Sequence, residues 1–181
     1  MIGFVLAKRY AKAAIDLAHE AGTVTEVGQD LERVAELFAG SPQLVHVFSD
    51  PTVAPNIKEK VLEDVLKKGS IQELTQRFIH VLNKKNRILG IGEITQSYRD
   101  LSDQLANRTR ARVVSASKLK DKEKKRIQEA LSRMSGKEVI LEVEIDEGLL
   151  GGVVAYMGSQ VYDGSLKNQL AQIKDSLSKG R

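Results

Sequence analysis

The sequence predicts an α+β protein: a six-helix bundle at the N-terminus followed by a small β-α-β-β-β-α domain. Three observations carry that reading. Through about residue 106, apolar side chains recur at three- and four-residue spacing, with Gly or Pro closing each run. Beyond Arg108 the period shortens to two, in β-branched stretches. The net charge of +4 also divides unevenly, with 13 Lys/Arg against 14 Asp/Glu in residues 1–107 and 15 against 10 in residues 108–181. The expected domains are therefore a helical bundle over 1–106 and an α+β domain over 107–181.

The first helix is marked by Phe4, Ala7, Ala11, Ala14, Ala18 and Ala21, with Leu6, Tyr10, Ala13 and Leu17 beside that stripe. Gly22 stops it, and Thr23 with Glu26 has the form of a capping box opening a second helix to about Phe38. Gly40 ends that one. Ser41-Pro42 supplies an N-cap and first-turn proline for a short third helix. Asp50-Pro51 and Ala54-Pro55 frame a loop, after which Ile57, Val61, Leu62, Val65 and Leu66 line a fourth helix that Gly69 ends. Ser70 and Glu73 suggest another capping box, leading into Ile71, Leu74, Phe78, Val81 and Leu82, and Ile91, Ile94, Tyr98, Leu101 and Leu105 mark a sixth helix. In the second part, residues 111–117 read as a strand, and Asp121 can cap a helix carrying Ile127, Ala130, Leu131 and Met134. Val139, Leu141, Val143 and Ile145 alternate with Glu138, Glu142 and Glu144, broken by Ile140 on the polar face. Residues 152–157 and 160–162 form two strands across a Gly158-Ser159 turn. Leu166, Leu170, Ile173 and Leu177 stripe a final helix.

The absence of cysteine removes disulfides, thiolate metal ligands and cysteine nucleophiles. No apolar run approaches the roughly 20 residues that span a bilayer. Lys8 and Arg9 follow the short apolar start, where a secretory signal would put charge first, so membrane association is expected only through partners. Gly164-Ser165-Leu166-Lys167 has the wrong register for a phosphate-cradling loop, and tight turns account for the glycines around it. His19, His46 and His80 fall in different helices, so neither a metal nor a cofactor site is expected. Ser165 lacks the elbow of a hydrolase nucleophile. Asp163-Gly164-Ser165 reads instead as a turn and helix cap, and no catalytic residue is expected. Two basic clusters, residues 108–112 and 118–126, keep nucleic acid as a rival reading. The second is interleaved with Asp121 and Glu123 and offers no aromatic for base stacking, which favours a solvated helix face. The alanine stripe of the first helix has two readings that spacing leaves open: close packing in the bundle, or a groove that a partner's larger side chains fill.

Residues 150–170, with Gly151-Gly152 before an apolar strand and Asp163-Gly164-Ser165 opening an amphipathic helix, resemble the signature of bacterial ATP synthase delta subunits. Their mitochondrial relative is the oligomycin-sensitivity-conferring protein. Residues 7–14 are similar to that family's opening helix. Asn86-Arg87-Ile88 stands where members often carry Asn-Gly-Arg-Leu, and departs from it in lacking the glycine. The resemblance covers essentially the whole chain. It implies a non-catalytic connector in the peripheral stalk, through which ion-driven rotation is coupled to ATP synthesis. The bundle would hold the N-terminal helix of an alpha subunit, and the second domain the C-terminal ends of the b subunits, at the cytoplasmic face of the bacterial cell membrane. It implies no nucleic acid and no cofactor. It places the groove for the alpha-subunit helix between the first and fifth helices, with Tyr10, Ala13, Ala14, Leu17, Phe78 and Val81 at the contact.

Overall fold

The computed structural model describes residues 3–146 and 148–179, with the backbone alone at 172, 173 and 175–179. Helix and sheet are mixed, with eight α-helices and one four-stranded sheet among the described residues. The chain divides into two compact units, Met1–Ser102 and Asp103–Arg181. That division lies inside the sixth helix, whereas the sequence places it after the helix. Asp103, the first residue of the second unit, has a carboxylate that accepts from Arg110 Nε at 2.6 Å and lies 3.6 Å from Arg108 Nη2, tying it to the strand that follows.

The first unit contains α1 (Phe4–Glu20), α2 (Val24–Gly40), α3 (Pro42–Ser49), α4 (Pro55–Lys68), α5 (Glu73–Lys84), a 3-10 turn at Ile88–Gly90 and α6 (Ile91–Leu105). Ala7, Ala11, Ala14 and Ala18 are buried in one core with Leu31, Val34, Leu62, Ile79, Leu82 and Ile94, while Ala21 is exposed. Close packing is thus the reading of the alanine stripe that holds. Tyr98 of α6 is buried, and its hydroxyl donates to the Val24 carbonyl at 2.9 Å. Its ring passes over Gly28, where an added Cβ would sit 3.4 Å from Cε1. Thr95 Oγ1 donates to Leu31 O at 3.3 Å, and the Arg99 guanidinium donates twice to Glu32 Oε1, at 3.0 and 2.6 Å.

The helix starts differ from their sequence expectation in three places. Ser41 caps α3 as expected, accepting from Leu44 N at 3.4 Å. The Thr23 hydroxyl makes no cap bond to α2 and is buried without a partner. Ser70 takes a left-handed backbone (φ 49°), which delays α5 by two residues. The amide of its N-cap residue is then met from another helix: Gln72 N donates to Asp30 Oδ2 of α2 at 3.0 Å, and Arg33 pairs with the same buried carboxylate. Asp30 is therefore a long-range cap, invisible to any local pattern. In the second unit Lys120, not Asp121, takes the N-cap position, and its amide donates to Glu123 Oε2 at 2.7 Å.

That unit runs β1 (Arg108–Ser115), α7 (Asp121–Ser135), β2 (Glu138–Ile145), β3 (Val153–Met157), β4 (Gln160–Asp163) and α8 (Leu166–Lys179), the β-α-β-β-β-α order that the sequence predicts. The sheet order is β2-β1-β3-β4, with β1 and β2 parallel and the other pairs antiparallel. The two-residue connection Gly158-Ser159 joins β3 to β4. Ala111, Val113, Val139, Ala155 and Met157 point to one face and bury against Leu131 of α7.

Burial, with Glu26 nearby, raises the Tyr98 phenol above its ordinary value of about 10. The folded chain thus disfavours the phenolate. This contribution to stability is whole below about pH 10 and drains away as pH rises toward the raised value. Tyr98→Phe is expected to cost about 1 kcal/mol at neutral pH, by leaving the Val24 carbonyl without its donor. It should also lose stability less steeply than the parent above pH 10, as read from urea unfolding across a pH series. Parallel slopes for the two proteins would rule out the linkage.

Candidate functional site

The face of α1 next to its alanine stripe meets α5 in an open groove of about 490 Å³. Tyr10, Ala13 and Leu17 line it from α1, and Glu73, Leu74, Arg77, Phe78 and Val81 from α5. The floor is apolar and left to solvent, with Leu17 52% and Val81 48% exposed. A helix lays an apolar stripe into such a channel using residues about one turn apart, the spacing at which Tyr10, Ala13 and Leu17 recur. Five of the six residues expected at the contact lie together here: Tyr10, Ala13, Leu17, Phe78 and Val81.

Ala14 is the exception and corrects the sequence expectation. It is 1% exposed, belongs to the buried core and does not line the groove. One residue advances a helix by about 100°, so Ala13 and Ala14 lie on adjoining faces and only one can look outward. Three lining residues were missed: Leu74, Glu73 and Arg77. Leu74 stands one turn before Phe78, and Glu73 and Arg77 have the spacing of a helical ion pair, so a helical wheel of α5 would have shown all three.

The signature residues of the second unit form a joint between the start of β3 and the start of α8. Gly164 N donates to Val153 O at 2.9 Å, and Leu166 N to Gly151 O at 3.0 Å. Both expected cap acceptors are used: Ser165 N donates to Asp163 Oδ1 at 2.9 Å and Asn168 N to Ser165 Oγ at 3.2 Å. Hydrogen bonds from the Ser165 side chain and amide hold the Asp163 carboxyl below its ordinary range. Ser165 is buried at the cap, a position that explains its place in the motif without any nucleophilic role. Gly152 has φ +82°, and a Cβ there would fall 2.4 Å from Gly164 O and 2.9 Å from Ser165 Cα. At Gly151 (φ +151°) a Cβ would meet Leu166 Cδ1 at 2.6 Å.

The basic cluster of β1 is largely neutralised within its own unit. Arg110 donates to Asp103 and to Glu142, the latter at 3.1 Å, and Arg112 to Glu144 at 3.2 Å. Burial alone would lower the Arg110 pKa, but the bonds to Asp103 and Glu142 outweigh it and raise it. The Arg112 guanidinium lies 4.5 Å from the centroid of the Tyr156 ring. Arginines engaged in this way are poorly placed to neutralise phosphates, which weakens the nucleic-acid reading. His19 and His46 are exposed, and His80 Nδ1 lies 3.1 Å from Glu59 Oε1. Among the described residues no group of three or more His, Asp or Glu converges on a metal position, and no helix is long and apolar enough to cross a membrane.

What the groove and the joint offer is apolar surface and close-fitted backbone, the equipment of a connector that works by binding. The comparisons with known proteins agree. The chain belongs to the ATP synthase delta (OSCP) subunit family, whose description fits residues 6–177. It is similar to the ATP synthase subunit delta of Trichlorobacter lovleyi, 35% identical over 99% of this chain and 100% of that one. The subunit delta of Geobacter sp. strain M21 is 37% identical over 97% of each chain. Among solved structures, a chain of the Toxoplasma gondii mitochondrial ATP synthase hexamer shares the fold, with a TM-score of 0.67 at 21% identity over 95% of this chain and 97% of that chain. Family members are structural subunits of the peripheral stalk, not catalytic ones.

Gly152→Ala is expected to destabilise the second unit by about 2 kcal/mol or more, since it adds a clash with the Gly164 carbonyl to a left-handed backbone. Gly158→Ala, where φ is +59° but no atom lies within 4 Å, should cost about half as much. Hydrogen exchange at β3 and β4 measures both. Equal effects would remove the joint from the account.

Proposed function

We propose that this chain is the peripheral-stalk connector of a bacterial F-type ATP synthase, holding the catalytic hexamer still against the torque of the rotor. Without such a link the hexamer would turn with the rotor, and ion flow would not drive ATP formation. A connector needs affinity at two ends and no active site. The observation that carries this reading is the α1/α5 groove in a chain of this family. α1 to α6, acting as one six-helix bundle over residues 1–106, hold the amphipathic N-terminal helix of an alpha subunit in that groove, against Tyr10, Ala13, Leu17, Phe78 and Val81.

Residues 107–181 engage the C-terminal ends of the b subunits, which run down to the membrane. The assembly holds the protein at the cytoplasmic face through its partners. α8 supports this assignment: Leu166 and Leu170 are 47% and 64% exposed, an apolar start to a stripe that calls for a cover. The side chains of Ile173 and Leu177, which complete the stripe, lie outside the described residues. The basic excess of residues 108–181 adds steering toward an acidic partner.

Titration calorimetry with a synthetic peptide matching the N-terminal helix of the alpha subunit tests the first contact. Ala13→Asp, at an exposed lining position, should weaken binding by about tenfold or more while leaving the fold intact, because the carboxylate loses hydration without gaining a partner. Ala14→Asp, in the core, should cost several kcal/mol of stability instead. Undiminished peptide binding by Ala13→Asp would refute the groove. For the second contact, a chain ending at Gly164 should lose surface-plasmon-resonance binding to the C-terminal segment of the b subunits. The full chain's association rate should fall as salt rises. Unchanged binding by the shortened chain would refute that end of the assignment.

A further inference from the structure

Among the described residues that line the groove, only Glu73 and Arg77 carry charge. Both belong to α5, one helical turn apart, and they pair with each other. The α1 side of the same groove presents a phenol, a methyl group and an isobutyl group. A docked helix therefore meets a charged pair in the lining on the α5 side, whereas the neighbouring charges of α1, at Arg9, Asp16 and Glu20, fall outside the lining. Its apolar stripe cannot distinguish the two ways of lying in the channel, since apolar burial is non-directional. The rim can.

We propose that the Glu73–Arg77 pair reads the direction of the docked helix, favouring one that lies antiparallel to α5 and carries an acidic residue followed one turn later by a basic one. The proposal rests on the reading of the groove as a helix site. Along α5 the charges run from negative at Glu73 to positive at Arg77. An antiparallel helix with the acid first sets its carboxylate beside Arg77 and its cation beside Glu73. The same helix laid parallel sets like charge against like. Acid before base is also the better order within the ligand's own helix, so a correctly charged partner is pre-formed before it docks. The resting pair yields readily: Arg77 and Glu73 are 78% and 77% exposed, and an exposed pair one turn apart holds weakly. Docking withdraws water from the rim, which strengthens the matched arrangement and the mismatched one alike, in opposite senses.

Two designed amphipathic peptides, each on the order of 18 residues long, test this on the full chain. They share a leucine stripe. One carries Glu then Lys a turn apart on the flank, and the other carries Lys then Glu. With a nitroxide at the peptide N-terminus, NMR broadening of backbone amides reports which end of α5 it approaches. The acid-first peptide should broaden amides around Lys84 and the base-first peptide those around Glu73. The double variant Glu73→Arg with Arg77→Glu should exchange the two patterns, because each peptide can turn to meet its complement. Circular dichroism checks that the variant is folded, and the two peptides on the parent protein decide the matter without it. Binding in which both peptides broaden the same end, or both ends equally, overturns the inference and leaves the groove standing. Failure of both peptides to bind at saturating concentration overturns the groove along with it.

Discussion

How deeply α1 sits in its core is set by four methyl groups. Ala7, Ala11, Ala14 and Ala18 let the helix approach its neighbours more closely than leucines would, and Leu31, Val34, Leu62, Ile79 and Leu82 supply the volume they lack. The groove follows from that seating. With one face of α1 committed inward, the adjoining Tyr10, Ala13 and Leu17 stay at the surface alongside Leu74, Phe78 and Val81 of α5. A larger residue at any of the four alanines would have to push α1 outward, moving the groove wall with it. The core and the binding surface are therefore two faces of one packing solution.

The second unit rests on the same economy of volume, at backbone level. Gly152 and Gly164 approach so closely that no side chain fits at 152, and Gly151 leaves room for Leu166. That approach fixes where α8 begins, with Asp163 and Ser165 closing its first turn. The motif by which the chain resembles its family thus has a plain physical meaning. It positions the exposed leucines of α8, and it needs no reacting group.

Much of this was legible in the sequence, because much of it is local. Helical period, the stops at Gly22, Gly40 and Gly69, the Ser41-Pro42 start and the alternation of Val139, Leu141 and Val143 are properties of short windows. What escaped is what folding brings from afar. Asp30 caps α5 from 42 residues away, displacing the capping box that Ser70 and Glu73 spell out locally. Asp103, near the end of α6, is tied to β1 through Arg108 and Arg110. The groove was legible only in outline. The resemblance implies both Ala13 and Ala14 at the contact, but the two lie on adjoining faces about 100° apart, and Ala14 faces the core. A helical wheel sets Glu73 and Arg77 on the groove side of α5, but an ion pair at that spacing is ordinary on any solvated helix and singles out no site. Only the neighbouring hollow makes it distinctive.

One consequence of the strand order concerns the time before the protein meets its partners. β2 is an edge strand, bonded to β1 on one side only, and at eight residues it is long enough to template the addition of another strand. Leu141, Val143 and Ile145 would favour such self-association, and Ile145 is already 57% exposed. Glu138, Glu142 and Glu144 stand on the opposite face of the same strand. Two copies meeting edge to edge would bring these carboxylates together across the new junction, with Arg110 and Arg112 already engaged behind them. That crowding makes this edge a poor template for a second copy of the chain.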